Sequence, residues 1–414
     1  MKQVKLLQIV RDSLWKNIEI SQELLDITNT REFTRIANIK QLGPTHFVYP
    51  GATHTRFAHS LGVYHIASKL IQHLQKKGAS EWTTKEGILA FQIASLCHDL
   101  GHFPYTHALK ELPLKDHEEL TGEIVLNSSI TPLIEKAGTK PFFVAAIVDK
   151  NIQTDNKEIL FYRQLLSGVL DPDKLDYLNR DAFYCGVPYG IQDTEFTLAA
   201  LEPDFQKGIT INSKSIVAVE NLLFSKYLMY RTVYWHKTVR IVTAMMKKNL
   251  FSALKNEVIL PEQLYSLFDE SLFQIIEKSY KNNPEIWHCG KQILNKNFYT
   301  VILEIPFNEK NPNHVKLENL EERTKLETNI AIECGCKEYE ILIDIPEKIS
   351  FESNLWIKDE NTEFSNSSTV FTPETVKSFT EKLRFIRFAF DTEILNNKTK
   401  NEIEKIKNHI EDLL

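Results

Sequence analysis

The sequence CHDLGHFPYTH at residues 97–107 places three histidines directly after an apolar segment. Apolar residues recur at helical spacing over residues 85–99, and Gly101 then provides a stop signal. His98 and Asp99 are therefore expected in the last turn of a helix, where neighbouring side chains can both reach one pocket. A single His-Asp pair is common by chance and does not by itself establish a site.

A second stretch rich in charge is DPDKLDYLNRD, residues 171–181. In a helix that begins near Asp173, positions four apart share one face, so Asp173, Tyr177 and Asp181 are expected to point the same way. Two cations are expected to flank this stripe: Lys174 and Arg180. A solvated helix face is the simpler explanation of such a charge run taken alone.

The stretch RFAHSLGV, residues 56–63, supplies one more histidine on a predicted helix. Across the three stretches, a set of two imidazoles and two carboxylates can be assembled: His59, His98, Asp99 and Asp173. Such ligands suit a divalent transition metal (Mn, Fe, Co, Ni or Zn) with positions left open for water and substrate.

The composition limits the function classes. With 43% hydrophobic and 25% charged residues, the 414-residue chain resembles an ordinary globular protein. A net charge of -6 gives no basic excess, so nucleic acid is not indicated as a partner. We find no signal peptide and no apolar run long enough for a membrane span. Together with an odd number of cysteines, five, this predicts a cytoplasmic protein.

The periodicity predicts a mostly α-helical protein with a smaller α+β region at the C-terminus. Helices are predicted at about residues 57–76, 85–99, 117–126, 157–167, 173–184, 215–255, 261–280 and 399–413. Short β-branched runs predict strands at residues 300–306 and 339–346. The polar segment 351–372 is expected to be a mobile or partner-dependent loop.

The order H…HD…D within these stretches resembles the HD-domain superfamily. The chain is most similar to the deoxynucleoside triphosphate triphosphohydrolases, whose animal members carry an added SAM domain. The similarity covers about residues 25–250, through IKQLGPTHFVYPGATHTRFAHSLGV, HEELTGEIV and VYWHKTVRIV. We expect no SAM domain, because the chain begins almost directly at the similar region. The resemblance implies an HD-domain helical core with a helical extension over residues 1–285, and we expect residues 286–414 to be regulatory or to serve oligomerisation.

This resemblance implies cleavage of deoxynucleoside triphosphates to a deoxynucleoside and inorganic tripolyphosphate, with the four metal ligands named above. Three histidines match residues along the phosphate path: His102, His107 and His117. Among them His107 corresponds to the acid that protonates the departing 5′ oxygen. The matching triphosphate contacts are Arg56, Lys174 and Tyr177. The matching deoxyribose contacts are Gln41, Leu42, Asp181 and Tyr234, of which Leu42 and Tyr234 would leave no room for a 2′-hydroxyl.

The resemblance also implies a nucleotide activator and a homo-oligomer, either dimer or tetramer, and Mg on the triphosphate is a further option. Several positions depart from the family pattern. Lys110 replaces a common acidic residue, for which Glu111 or Glu118 could substitute, and Tyr230 replaces a histidine. Two positions that grip a guanine activator in the animal enzymes are occupied differently here: Asn29 and Ala37. A guanine-specific activator site of that design is therefore not expected, while activation by another nucleotide stays open.

Two alternative functions remain. One is another HD phosphohydrolase, either a 5′-nucleotidase or a cyclic-dinucleotide phosphodiesterase, although Gly186-Val-Pro-Tyr-Gly190 is not the HD-GYP signature of the latter. The other is a nucleotide-binding regulator without turnover, which the intact set of four predicted ligands disfavours. Cys334-Gly335-Cys336 has no zinc-site partner and is interpreted as a turn.

Overall fold

The computed structural model describes residues 7–349, 351 and 354–414. The described chain opens with an antiparallel hairpin of β1 (Leu7–Asp12) and β2 (Lys16–Ser21). In β2, Ile18 and Ile20 are fully buried while Asn17 and Glu19 are exposed, the alternation expected of a strand covering a core. This hairpin was not predicted from sequence, because so short an alternating run carries little periodic signal.

A layered array of helices follows and confirms the mostly α prediction. Its members are α1 (Gln22–Thr28), α2 (Arg31–Ile36), α3 (Arg56–Lys76), α4 (Lys85–Cys97), α5 (His117–Asn127), α6 (Thr131–Ala137), α7 (Pro141–Val148), α8 (Lys157–Leu166), α9 (Pro172–Cys185), α10 (Thr194–Ala200), α11 (Ile216–Met229) and α12 (Lys237–Lys255). Side-chain caps fix where the three site-bearing helices begin, since Thr55, Thr84 and Asp171 each accept a backbone N–H of the first turn. Helix α3 packs against both α4 and α9, which brings the three motif-bearing stretches together.

Two predicted helices are interrupted in the structure. The stretch 215–255 is broken at Tyr230–Tyr234, which form a π-helical turn between α11 and α12. The stretch 261–280 divides into α13 (Pro261–Tyr265) and α14 (Asp269–Ser279), and α15 (Pro284–Leu294) follows. Apolar periodicity continues across both breaks, so sequence alone predicted single helices.

The C-terminal region is α+β, as predicted. Its elements, with two earlier strands that join its sheets, are β3 (Glu202–Asp204), β4 (Gly208–Ile211), β5 (Thr300–Pro306), α16 (Pro312–Lys316), α17 (Leu320–Cys334), β6 (Ile341–Asp344), β7 (Trp356–Ile357), β8 (Thr362–Glu363), α18 (Pro373–Leu383), β9 (Phe385–Phe390), α19 (Thr392–Asn396) and α20 (Lys400–Asp412). Strand β9, which the sequence analysis missed, pairs antiparallel with β5 and β6 as the centre of one sheet.

The segment 351–372 was predicted to be a loop throughout, and this was wrong for its described residues. It contains β7 and β8, and β7 pairs in parallel with β4 in the first part of the chain. Phe364 is fully buried, so the segment is anchored by apolar packing despite its polar composition. Residues 352 and 353 lie outside the described residues.

Largely buried ion pairs join α12 to the C-terminal region. Arg240 Nη2 and Nε donate to the Asp344 carboxylate of β6 at 2.5 and 3.1 Å, and Lys248 Nζ lies 2.6 Å from Glu327 Oε2 of α17. The boundary at residue 285 stays a prediction. Among the described residues, no helix combines the length and apolar character needed to cross a bilayer.

Candidate active site

A cavity of about 770 Å³ opens where α3, α4 and α9 meet. Thirteen of the predicted site residues line it: Gln41, Leu42, Arg56, His59, His98, Asp99, His102, His107, His117, Asp173, Tyr177, Asp181 and Tyr234. Lys174 is not among the lining residues, because its Nζ donates to Asp171 Oδ2 at 2.7 Å and to the Gly168 carbonyl at 2.9 Å. The cavity has the size of a small-molecule site.

The four predicted metal ligands converge at one point of the wall. Asp173 Oδ1 lies 2.9 Å from His59 Nε2 and 3.7 Å from His98 Nε2. Asp99 Oδ1 lies 3.4 Å from His98 Nε2, and Asp99 Oδ2 lies 3.9 Å from His59 Nε2. His98 Nε2 is buried and has no hydrogen-bond partner among the described residues. A metal ion would satisfy this nitrogen, so the residues present fit a divalent metal.

The Nδ1 atoms of His59 and His98, which point away from the common centre, already have hydrogen-bond partners. His59 Nδ1 lies 2.8 Å from Asp176 Oδ2, and His98 Nδ1 lies 2.9 Å from the Ser95 carbonyl. Both partners can only accept, so each Nδ1 carries a proton and each Nε2 is the nitrogen that faces the common centre. The sequence analysis gave Asp176 no role, although its position three residues after Asp173 on the same helix was an available signal.

The three predicted catalytic histidines form a second cluster next to the first. His102 Nε2 lies 3.1 Å from His107 Nε2, and the His102 and His117 ring centroids are 4.1 Å apart. Burial and the nearby Arg56 guanidinium hold the pKa of His102 well below its usual range. His107 is exposed to the cavity, and desolvation by the surrounding protein, with Arg56, lowers its pKa as well.

Two carboxylates stand beside these histidines. Asp99 Oδ1 lies 3.4 Å from His102 Nδ1, and Asp116 Oδ1 lies 3.1 Å from His117 Nδ1. The carboxylates of the substitutes suggested from sequence pair with other side chains. Glu111 binds Lys247 and Arg323, and Glu118 faces Lys150 at 3.6 Å. The suggestion that Glu111 orients the catalytic histidines is therefore wrong, because its carboxylate is occupied by two cations.

Arg56 is the cation nearest the metal cluster. It is 4% exposed, its Nη1 donates to Asp99 Oδ2 at 2.8 Å, and its Nε has no partner among the described residues. Arg180 was expected to flank the Asp173 stripe, and this was wrong. Its guanidinium is fully buried and bonded to Asp12 and Asp176, on the side of α9 that faces the core.

The remaining predicted contacts surround Asp181. Its Oδ2 accepts from the Tyr234 hydroxyl at 2.6 Å, and its Oδ1 lies 2.8 Å from His54 Nε2. His54 is buried and stacked on Tyr184, and the sequence analysis assigned it no role. Gln41 Oε1 is buried without a partner among the described residues, so it can accept a hydrogen bond from a ligand hydroxyl.

Two family models match the sequence. One, described as the HD domain, matches residues 56–138, and the other, the HD associated region, matches residues 201–372. An uncharacterized protein of Bacillus subtilis is 35% identical over 274 residues, covering 64% of this chain and 61% of that protein. Human deoxynucleoside triphosphate triphosphohydrolase is 29% identical over 277 residues, covering 59% of this chain and 44% of the human one. The chain thus spans less than two thirds of either relative.

Solved structures share the fold across nearly the whole chain. A crystal structure of a phosphohydrolase from Bacteroides thetaiotaomicron superimposes with a TM-score of 0.71 at 25% identity, covering 93% of this chain and all of that one. The likeness includes the C-terminal α+β region, which carried no recognisable motif in the sequence.

Proposed function

The chain belongs to the HD-domain superfamily of phosphohydrolases, and we propose that its substrates are deoxynucleoside triphosphates. The observation that carries the proposal is that one cavity holds the metal-fitting cluster, the three further histidines and the Asp181 group. The metal-fitting cluster and the three histidines suit the binding and cleavage of phosphates. The Asp181 group suits the binding of a sugar hydroxyl. Relatives named deoxynucleoside triphosphate triphosphohydrolases support this choice.

His59, His98, Asp99 and Asp173 would hold the metal. When bound, a divalent metal there supplies Lewis-acid polarisation of a phosphoryl oxygen and activation of water. Arg56, whose Nε is unpartnered among the described residues, would donate to a phosphate oxygen while its Nη1 keeps its bond to Asp99. Lys174 is proposed as a triphosphate contact only after its Nζ leaves Asp171 and Gly168.

In the proposed reaction, water attacks the α-phosphorus and the bond from that phosphorus to the 5′ oxygen breaks. The departing oxygen takes a proton, and His107 would donate it. Because the surroundings lower the pKa of His107, the free protein holds it neutral. The negative charge of a bound triphosphate acts in the opposite direction, so substrate binding would charge the histidine when its proton is needed.

Gln41, Leu42, Asp181 and Tyr234 would bind the deoxyribose. Asp181 is fixed from both sides by Tyr234 and His54, so its free lone pairs point in a defined direction for a sugar hydroxyl. We also propose that the protein is cytoplasmic, forms a homo-oligomer and responds to an activating nucleotide, with the C-terminal region involved in regulation or assembly.

The proposal is tested by incubating the protein with each deoxynucleoside triphosphate, alone and in pairs, with Mn or Mg present. Chromatography of the products should show a deoxynucleoside and tripolyphosphate in equal amounts. A higher rate with a pair than with either nucleotide alone would support activation. His98→Ala should abolish product, and His73→Gln is the matched control, because His73 lies on α3 with its Nε2 at the Leu201 carbonyl.

The same chromatography, repeated with a nucleoside monophosphate and with a cyclic dinucleotide as substrate, separates the alternatives. Orthophosphate from a monophosphate, or a linear product from a cyclic dinucleotide, would indicate another HD phosphohydrolase. Nucleotide binding without any product would indicate a regulator. Either result would contradict the triphosphohydrolase proposal.

A further inference from the structure

Asp176, the carboxylate behind His59, is surrounded by donors. It is fully buried, and its Oδ2 accepts from His59 Nδ1 and from Arg180 Nε, both at 2.8 Å. Its Oδ1 accepts from Trp15 Nε1 at 2.5 Å and from Arg180 Nη2 at 2.9 Å. Each carboxylate oxygen is thus held by two donors, which leaves Asp176 no freedom to rotate away from His59.

Two of these contacts lead to the N-terminal hairpin. Trp15 lies on the turn between β1 and β2, and Asp12 is the last residue of β1. Arg180 Nη1 donates to Asp12 Oδ2 at 2.9 Å, and Asp12 Oδ1 also accepts the backbone N–H groups of Leu14 and Trp15. The turn that carries the indole is therefore tied to the same guanidinium as Asp176.

The charge balance of this cluster favours a neighbouring cation. Asp12 and Asp176 carry two negative charges against the single positive charge of Arg180, and all three are at least nine-tenths buried. One uncompensated negative charge therefore lies behind the imidazole of His59. Such a charge makes the imidazole a stronger donor to a metal at Nε2.

Helices α3 and α9 are in close contact beside Asp176. A Cβ added at Gly62 of α3 would overlap Asp176 and Arg180 of α9. Only a glycine allows α3 to approach α9 so closely. The position of the Asp176 carboxylate, and with it the His59 ring, is consequently set by direct contact between the two helices and the hairpin.

We propose that Trp15 and Asp12 are positioning residues of the metal centre, acting through Asp176 on His59. The inference rests on the metal site proposed above. It assigns the N-terminal hairpin, which precedes the matched HD domain at residues 56–138, a direct part in holding that site. A merely structural role for the hairpin would affect stability and leave metal affinity unchanged.

The test uses Trp15→Phe, which keeps an aromatic ring and removes the indole N–H. The matched control is Trp82→Phe, because Trp82 is also half-buried and its Nε1 has no hydrogen-bond partner among the described residues. Metal-free full-length proteins are titrated with Co²⁺ against a competing chelator, with the visible spectrum recorded. Loss of such an outer partner usually weakens metal affinity about 10- to 100-fold.

We expect Trp15→Phe to bind Co²⁺ about tenfold more weakly than the wild type, with an altered spectrum. Trp82→Phe should match the wild type. Equal affinity and spectrum for Trp15→Phe and wild type would overturn the inference, whatever happens to the melting temperature. A wild type that binds no Co²⁺ would instead overturn the metal site itself, so the two failures can be told apart.

A double-mutant cycle tests the route through Asp176. In an Asp176→Asn background, adding Trp15→Phe should lower Co²⁺ affinity no further, because the carboxylate it positions is gone. Fully additive losses would contradict the proposed route. Asp12→Asn keeps an acceptor oxygen for the turn but removes the charge facing Arg180. This second variant should also weaken Co²⁺ binding.

Discussion

His102 and His107 face each other across the cavity wall with their Nε2 atoms 3.1 Å apart. One of the two nitrogens must carry the shared proton and the other must accept it. His102 is buried, its pKa lies well below the usual range, and its Nδ1 lies 3.4 Å from the Asp99 carboxylate. Burial and Arg56 lower the pKa of His107 as well, so both histidines are neutral in the free protein. His107 is the one exposed to the cavity, and it would therefore be the one to take up a proton when substrate binds and to release it to the substrate.

The first prediction concerns His107 as the general acid. His107→Gln keeps a hydrogen-bonding side chain but cannot donate a titrating proton, so kcat should fall roughly a hundredfold or more. Metal content and melting temperature should change little, because His107 is not one of the four predicted ligands. A His107→Gln protein with normal metal content, normal melting and nearly wild-type kcat would remove His107 from the mechanism.

The second prediction concerns metal removal. Purified protein should hold about one transition metal per chain, since the four ligand side chains form a single cluster. Changing His98 and Asp99 together to Ala should eliminate both metal and turnover. Stripping the wild type with a chelator should lower its melting temperature, because a ligand that binds only the folded state stabilises it. Elemental analysis that finds full metal in the double variant would contradict the ligand assignment.

The third prediction separates sugar exclusion by shape from exclusion by hydrogen bonding. If Tyr234 and Leu42 wall off the 2′ position, Tyr234→Phe should still reject ATP while cleaving dATP, because the ring remains. Tyr234→Ala should open space and raise the ATP rate relative to dATP by roughly tenfold or more. Comparable wild-type turnover of ATP and dATP would rule out such a wall.

Local patterns predicted much of this site. Helical periodicity and the spacing of four residues correctly placed Asp173, Tyr177 and Asp181 along the same cavity. The second layer was not predictable, because Asp12, Trp15 and Asp176 meet only after chain segments far apart in sequence pack together. Arg180 shows the limit clearly. Its position next to the stripe of Asp173, Tyr177 and Asp181 suggested an exposed cation. In the structure, tertiary contacts bury Arg180 fully.

The central strand of the C-terminal sheet was not predicted, although both of its neighbours were. This strand, β9, is FIRFAF, in which Arg387 interrupts the apolar run. Arg387 is buried because Glu304 and Asp344 accept from it, and those partners come from two other strands. In the sequence, Arg387 interrupts the apolar pattern that would predict a buried strand. In the fold, carboxylates distant in sequence neutralise its charge.

The fourth prediction concerns the pH dependence of that region. Burial acts to raise the pKa of Asp344, but Arg240 and Arg387 outweigh burial and lower it. Its stabilising contribution is thus present above the unfolded value of about 3.9 and is lost as pH falls through the lower folded value. Asp344→Asn should cost about 3 kcal/mol at neutral pH, since it removes the carboxylate that pairs with the largely buried Arg240, while Arg387 keeps Glu304.

This cost should shrink in acid. The gap in free energy of unfolding between wild type and Asp344→Asn should narrow below about pH 4, because Asp344 in the unfolded wild-type chain then takes up a proton that the folded carboxylate accepts only at a lower pH. Urea unfolding of both proteins at neutral pH and in acid measures the gap. A gap that stays constant down to the lowest pH at which both proteins fold would contradict the ion-pair explanation.

The last prediction decides what Glu111 does. Glu111 is the shared partner of Lys247, at 2.5 Å, and of Arg323, and both cations are more than nine-tenths buried. Glu111→Gln should therefore lower the free energy of unfolding by about 2 to 4 kcal/mol, reduced from the fully buried case because Glu111 is partly exposed. Catalysis in the folded fraction should be nearly normal, since Asp99 and Asp116 rather than Glu111 stand beside the histidines. Glu118→Gln is the matched control, because its pair with Lys150 at 3.6 Å is largely exposed and should contribute little to the free energy of unfolding. A Glu111→Gln protein that melts normally but has a much lower kcat would indicate that Glu111 acts on the catalytic histidines, and would contradict this assignment.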